Sequence, residues 1–96
     1  MSDKLNKSEF EIVGAWLFDG QQMCADENER RIDWLTENLL DEVATDWSGW
    51  ETLYRDPHDG RLWERTFPHG AMHGGGPKKL WNISEEEARR KYTFKK

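Results

Sequence analysis

The residues of this chain whose types invite chemistry are few: His58 between Asp56 and Asp59, the pair His69 and His73, the lone Cys24, and the run Gly74-Gly75-Gly76. An imidazole flanked by carboxylates is the pattern of an oriented acid–base group. It makes His58, or His73 with a neighbouring carboxylate, the centre of a conceivable small hydrolase or transferase. Yet Asp56-Pro57-His58-Asp59-Gly60 also has the composition of a tight turn, and turns select Asp for backbone bonding without any catalytic demand. His69 and His73 have zinc-compatible spacing but sit in a glycine-rich segment with no second local pair of ligands, so no metal is expected. Three glycines can aim consecutive amides at an anion, but this run matches neither the P-loop nor the dinucleotide spacing. A tight crossing between strands is the simpler reading. No catalytic residue is assigned, and no cofactor.

The elements that would position these groups are legible from periodicity. Phe10 to Phe18 is rich in β-branched and aromatic residues and closes on Asp19-Gly20, which predicts a first strand with a bulge at Gly14. Asp26 followed by Glu29 resembles a capping box, and Ile32, Leu35 and Leu39 recur at helical spacing, so a helix runs to about Leu40. Asp41 to Trp47 could continue it, but Val43, Thr45 and the Ser48-Gly49 break favour a strand. From Trp50 to Arg55 the residues alternate, with Trp50, Thr52 and Tyr54 on one face and Glu51, Leu53 and Arg55 on the other. The chain turns at 56–60 and returns, Trp63 and Phe67 sharing a face with Arg61 and Arg65, and Leu62, Glu64 and Thr66 sharing the opposite one. Lys79 to Ile83 is a short strand, and Ser84-Glu85-Glu86-Glu87 opens a terminal helix whose acids lie in the first turn and whose bases, Arg89 to Lys91, lie toward its end. The plan is α+β: an antiparallel sheet of four to five strands, one helix after the first strand and a second at the C-terminal end. Residues 1–96 form a single domain, with 1–8 as a flexible N-terminal tail.

A chain of 96 residues removes only about two-thirds of its unfolded surface from water, so its core is thin. Six tryptophans offset part of the shortage, each ring burying roughly 200 Å². The formal net charge of −5 argues against nucleic acid or an anionic membrane as partner and in favour of a basic protein. The acids are also unevenly placed: nine acidic side chains between Asp26 and Glu51 face only Arg30 and Arg31, whereas bases dominate from Gly76 onward. This predicts a polar field across the molecule. Lone Cys24 forms no internal disulfide, the polar N-terminus lacks the apolar stretch of a signal peptide, and no apolar run approaches a membrane span, which together predict a cytoplasmic protein. Trp47-Ser48-Gly49-Trp50 puts two indoles around a turn beside Asp46 and Glu51, a combination that speeds encounter with a basic partner and anchors it.

Asp46-Trp47-Ser48-Gly49-Trp50, Tyr54-Arg55-Asp56-Pro57, Asp59-Gly60-Arg61-Leu62-Trp63-Glu64, His73-Gly74-Gly75-Gly76-Pro77 and Glu87-Ala88-Arg89-Arg90-Lys91-Tyr92 resemble the immunity protein 27 family of bacterial polymorphic-toxin and contact-dependent inhibition systems. The resemblance extends from about Gly14 to Tyr92. Lys78 departs from it, standing where a second proline is usual. The resemblance implies a non-enzymatic antitoxin that binds a toxin domain in the cytoplasm. Together with the acid excess, it gives as expected partner a basic nuclease, with a ribonuclease as first choice, and no nucleic acid, membrane or small-molecule substrate. The expected contacts are Asp41, Glu42, Asp46, Trp47 and Glu51, with Tyr54, Asp56 and Asp59 as second choices. The alternatives from other classes are the histidine-based enzyme above and a general peptide-binding adaptor.

Overall fold

The alternation on either side of the turn at 56–60 becomes the centre of the fold. A computed structural model describes residues 5–68, 70 and 76–92. In chain order these form strands β1 (Glu11–Val13), β2 (Trp16–Phe18) and β3 (Met23–Ala25), helix α1 (Glu27–Trp34), strands β4 (Asp41–Thr45), β5 (Thr52–Arg55), β6 (Leu62–Thr66) and β7 (Lys79–Ile83), and helix α2 (Glu85–Lys91). Five strands make one antiparallel sheet in the order β1-β7-β6-β5-β4, and β2 and β3 make a separate two-stranded sheet. The architecture is α+β.

Because side chains alternate across a strand, the β5–β6 hairpin feeds two hydrophobic layers. Tyr54 opposes Trp63 in the register, and both join Leu5, Ile12, Ile32, Leu35, Leu40 and Leu80 in the layer under α1. Leu53 and Leu62 point the other way and pack with Ile83, Ala88 and Tyr92 under α2. With both faces covered, β5 and β6 are buried almost throughout. Burying each large aliphatic side chain stabilises the fold by roughly 1.5–3 kcal/mol.

Both helices start as their cap residues dictate. The Asp26 carboxylate accepts from the Glu29 amide at 2.7 Å and the Ser84 hydroxyl from the Glu87 amide at 3.1 Å, caps that contribute about 1 kcal/mol each. After α1 the chain winds into a π-helical turn over Leu35–Leu39, closed by the Leu40 amide on the Leu35 carbonyl at 2.8 Å. Leu40 is already extended, so Asp41 opens a strand rather than another helical turn. That strand carries a bulge between Glu42 and Ala44.

The first strand differs from its sequence-based expectation. Phe10 to Phe18 is not one strand with a bulge; it breaks at Gly14 and Ala15, and its halves join different sheets. The Gly14 amide donates to the Lys78 carbonyl at 2.8 Å, and a Cβ there would run into Glu29 Oε1 and lie 2.9 Å from that carbonyl oxygen. Close approach, not extra length, requires the glycine. The β2–β3 hairpin that follows is an element the periodicity did not predict, so α1 comes after the third strand. Of the expected tail, the residues from Leu5 are described: Leu5 is buried, and Arg61 donates to the carbonyls of Asn6 at 3.0 Å and Glu9 at 2.8 Å. Gly74 and Gly75, with the strand crossing expected of them, lie outside the described residues. Among the described residues no helix is long and apolar enough to cross a membrane.

Candidate functional site

The turn between β4 and β5 is organised by one carboxylate. Asp46 Oδ1 accepts from the Ser48 hydroxyl at 2.7 Å, the Gly49 amide at 3.0 Å and the Glu51 amide at 3.3 Å. Gly49 sits at φ +81°, a left-handed conformation that a side chain would strain. Burial pushes the Asp46 pKa up, but the bonds from Ser48, Glu51 and Gly49 outweigh it and hold the group below the usual carboxylate range. With the loop closed around Asp46, Trp47 is pushed outward and is 96% exposed.

Trp50 is half exposed and meets Phe67 edge to face, ring centroids 5.3 Å apart. The contact follows from register: Thr52 opposes Arg65, and extending that pairing by two residues sets Trp50 against Phe67. Trp47, Trp50 and Phe67, with Asp46, Glu51 and Lys91, border an open depression of about 440 Å³. The sequence pairs Trp50 with Trp47 as an anchoring indole, whereas Phe67 and Lys91 are absent from the contacts expected on sequence grounds. The alternation had put Trp50 and Phe67 on strand faces, so the hairpin register was the signal that could have joined them.

The floor of this region is tied to the core through Glu64. Although 2% exposed, its carboxylate accepts from Trp81 Nε1 at 2.8 Å, the Tyr92 hydroxyl at 2.6 Å and Lys91 Nζ at 2.7 Å. Lys91 also pairs with Glu51. Burial lowers the Lys91 pKa, but its bonds to Glu51 and Glu64 dominate and raise it. Burial and the Glu64 carboxylate together push the Tyr92 hydroxyl well above the usual phenol range.

The expected contact residues divide. Asp46, Trp47 and Glu51 come together at the turn; Asp41 and Glu42 are exposed on β4, at the outer edge of the sheet. The second choices stand elsewhere. Tyr54 is buried, and its hydroxyl accepts from Arg65 Nη1 at 3.2 Å. Asp56 is buried in the turn it shapes, accepting the His58 amide at 2.8 Å. Asp59 pairs with Arg61 at 2.7 Å.

The polar field expected from the sequence is smaller in space than along the chain. Lys78 pairs with Glu29 at 3.1 Å and Asp33 at 3.0 Å, and Lys91 with Glu51, so bases from the C-terminal stretch fold back onto the acidic one. Glu27, Glu37, Asp41 and Glu42 stay exposed with no ion pair among the described residues.

The histidine alternative has one component in view. His58 Nδ1 lies 3.3 Å from Asp56 Oδ1, beside a cleft of about 280 Å³ whose other walls are Leu5, Asn6, Lys7 and Asp59. No serine, threonine or cysteine lines that cleft among the described residues, and both groups serve the turn. His69 and His73 lie outside the described residues. Among those described, no three His, Cys, Asp or Glu side chains are grouped to hold a metal ion. The separate hairpin presents a feature that sequence reasoning missed: Leu17, Phe18 and Met23 are exposed on it, as are Phe10 and Val13 in the segment that precedes it.

A family model described as Immunity protein 27 matches residues 18–84. The matched span runs from β2 to the cap of α2 and contains the Asp46–Glu51 turn. No curated protein and no solved structure matches the chain.

Proposed function

The chain belongs to the immunity protein 27 family, and from that membership, which carries an antitoxin role with a protein partner, we propose that it neutralises a basic nuclease toxin. Acidic side chains stand in for the phosphates of the toxin's substrate, and the ribonuclease class fits best. The protein acts by binding, without turnover, in the cytoplasm of the producing cell. Asp41, Glu42, Asp46, Trp47 and Glu51 are the proposed contacts, with Tyr54, Asp56 and Asp59, each also bonded within the fold, as second choices.

The observation that carries this reading is Trp47, a large ring 96% exposed at the tip of a turn whose backbone is fixed by Asp46. A rigid exposed aromatic beside a carboxylate has the character of an interface anchor, since Trp dominates interface energies and opposite charge raises association rates. The test is the affinity and association rate of the toxin domain encoded beside this gene. Trp47→Ala with Asp46→Ala is expected to weaken binding by about 2 kcal/mol or more. Raising salt is expected to slow association steeply, since the attraction extends over a screening length of about 10 Å at 0.1 M. Unchanged affinity in the double variant removes the proposed site, and salt-independent association removes the steering argument.

A further inference from the structure

We propose that the depression bordered by Trp47, Trp50 and Phe67 is a socket for one arginine side chain of the toxin domain; this rests on the antitoxin reading and names the chemistry that its contact surface takes. The shape is the first argument. At about 440 Å³ and open to solvent, the depression is near the low end of the range for small-ligand sites, which suits a single protruding side chain rather than a helix or strand.

Charge is the second argument. Asp46 and Glu51 line the depression with Lys91 as the nearby cation. Lys91 is shared between Glu51 and Glu64, so the wall keeps an excess of negative charge. Asp46 Oδ1 is filled by three donors from its own turn, whereas Oδ2 accepts nothing among the described residues. An apolar plug would strip water from that carboxylate without replacing its hydrogen bonds, which is costly. An anion would meet an unpaired carboxylate and a lysine already occupied. A cation satisfies both the aromatic rings and the open oxygen.

Geometry of the cation is the third argument. A guanidinium is planar, so it can stack on an aromatic face while donating an N–H from its edge to the open Asp46 oxygen, whereas an ammonium is a strongly hydrated point charge. The molecule uses the same pairing within its own fold: Arg65 lies 5.4 Å from the Phe67 ring and 5.9 Å from that of Tyr54, and Arg61 lies 4.9 Å from the Trp63 ring. Phe67, which borders the depression, is therefore already an acceptor of this contact on one side.

The test follows the indole Nε1–H signals of the intact protein by nuclear magnetic resonance during titration with N-acetyl-arginine methylamide. Its citrulline and lysine counterparts serve as probes of similar size that lack the charge or the plane. The arginine probe is expected to move the Trp47 and Trp50 signals saturably, the lysine probe less and the citrulline probe not at all. Trp47→Ala, exposed enough to leave the fold intact, is expected to weaken the arginine probe about two- to fivefold, and Asp46→Asn also weakens it. Equal responses to arginine and citrulline, or movement of other indoles alone, overturn the socket. Toxin affinity measured on the same variants separates the two readings. If the double variant at Asp46 and Trp47 loses toxin while the arginine probe moves neither indole, the socket falls and the antitoxin surface stands. If the probe binds and toxin affinity is unchanged, both the contact surface and its arginine occupant fall.

Discussion

Two glutamates are buried among the described residues, Glu29 on α1 and Glu64 on β6, and a similar set of donors holds each to a different end. Both are 2% exposed, and both accept an indole N–H and a lysine ammonium. Glu29 takes Trp16 Nε1 at 3.4 Å and Lys78 Nζ at 3.1 Å, and it also takes the Lys78 backbone amide at 2.8 Å. That backbone bond fixes the path of the chain into β7 whatever side chain follows. Glu64 is held by side chains alone, and one of them, Lys91, reaches on to Glu51 at the exposed turn. The first knot locks the frame; the second joins the frame to the proposed contact surface. A buried carboxylate is retained at the cost of its desolvation, so its value lies in what its donors are made to do.

The sharpest way to break this comparison is to remove each carboxylate. Glu29→Ala leaves the Trp16 indole and the Lys78 amide without their acceptor and Lys78 with Asp33 alone. Glu64→Ala leaves the Trp81 indole and the Tyr92 hydroxyl without theirs and Lys91 with Glu51 alone. Each is expected to cost about 3 kcal/mol or more in denaturant unfolding. A loss below about 1 kcal/mol in either one would mean that water replaces the carboxylate and that the knot is not closed. Gly14→Ala comes next, because its Cβ would run into Glu29 Oε1 and crowd the Lys78 carbonyl. A loss of about 1–3 kcal/mol is expected, and in Glu29→Ala, where that oxygen is gone, a smaller one. Equal losses in the two backgrounds would show that the carbonyl, and not Glu29, sets the limit.

How far these knots were legible in the sequence depends on what kind of signal each residue gives. Asp26 and Ser84 announced their helices because a cap is a local bond between residues three apart. Trp50 to Phe67 announced a hairpin because alternation and a turn occupy one continuous stretch. Glu29 was legible as part of a capping signature but not as a buried acid, since its partners Lys78 and Trp16 are 49 and 13 residues away. Glu64 gave the correct face, shared with Leu62, but no hint that the terminal helix would bring Lys91 and Tyr92 to it. The β2–β3 hairpin was missed because its strands have three residues each, too few for alternation to stand out. At the candidate surface, Asp46, Trp47 and Glu51 were readable as neighbours in sequence, whereas Phe67 and Lys91 arrive through tertiary pairing.

Alkaline titration sharpens the comparison with a smaller effect. Burial lowers the pKa of Lys78 and of Lys91, but bonds to Asp33 and Glu29 in the first case and to Glu51 and Glu64 in the second raise both above 10.5. A base whose pKa is raised by folding contributes stability that is whole below its unfolded value and is lost as pH climbs through the folded one. Tyr92, kept protonated by burial and by Glu64, acts in the same direction. Stability is therefore expected to fall above about pH 10.5, and Lys78→Met and Lys91→Met are each expected to flatten that fall in thermal unfolding. Only Lys91→Met is expected to move the Trp47 and Trp50 indole signals at neutral pH; identical spectra for the two variants would dissolve the distinction between frame and surface. The smallest effect is assigned to Trp47→Ala, which lies outside both knots and is expected to change unfolding free energy by no more than about 0.5 kcal/mol. A larger loss would make that ring part of the scaffold.

The outer edge of the sheet has a bearing on solubility. Strand β4 ends the five-stranded sheet, where unpaired amides and carbonyls form a template on which further chains can stack. Asp41 and Glu42 are exposed along that rim and the register shifts beside them. A second molecule docking there in the antiparallel sense would bring like charges together on an interrupted ladder. Such an edge works against fibrillar stacking, while a complementary cationic strand would meet no such repulsion.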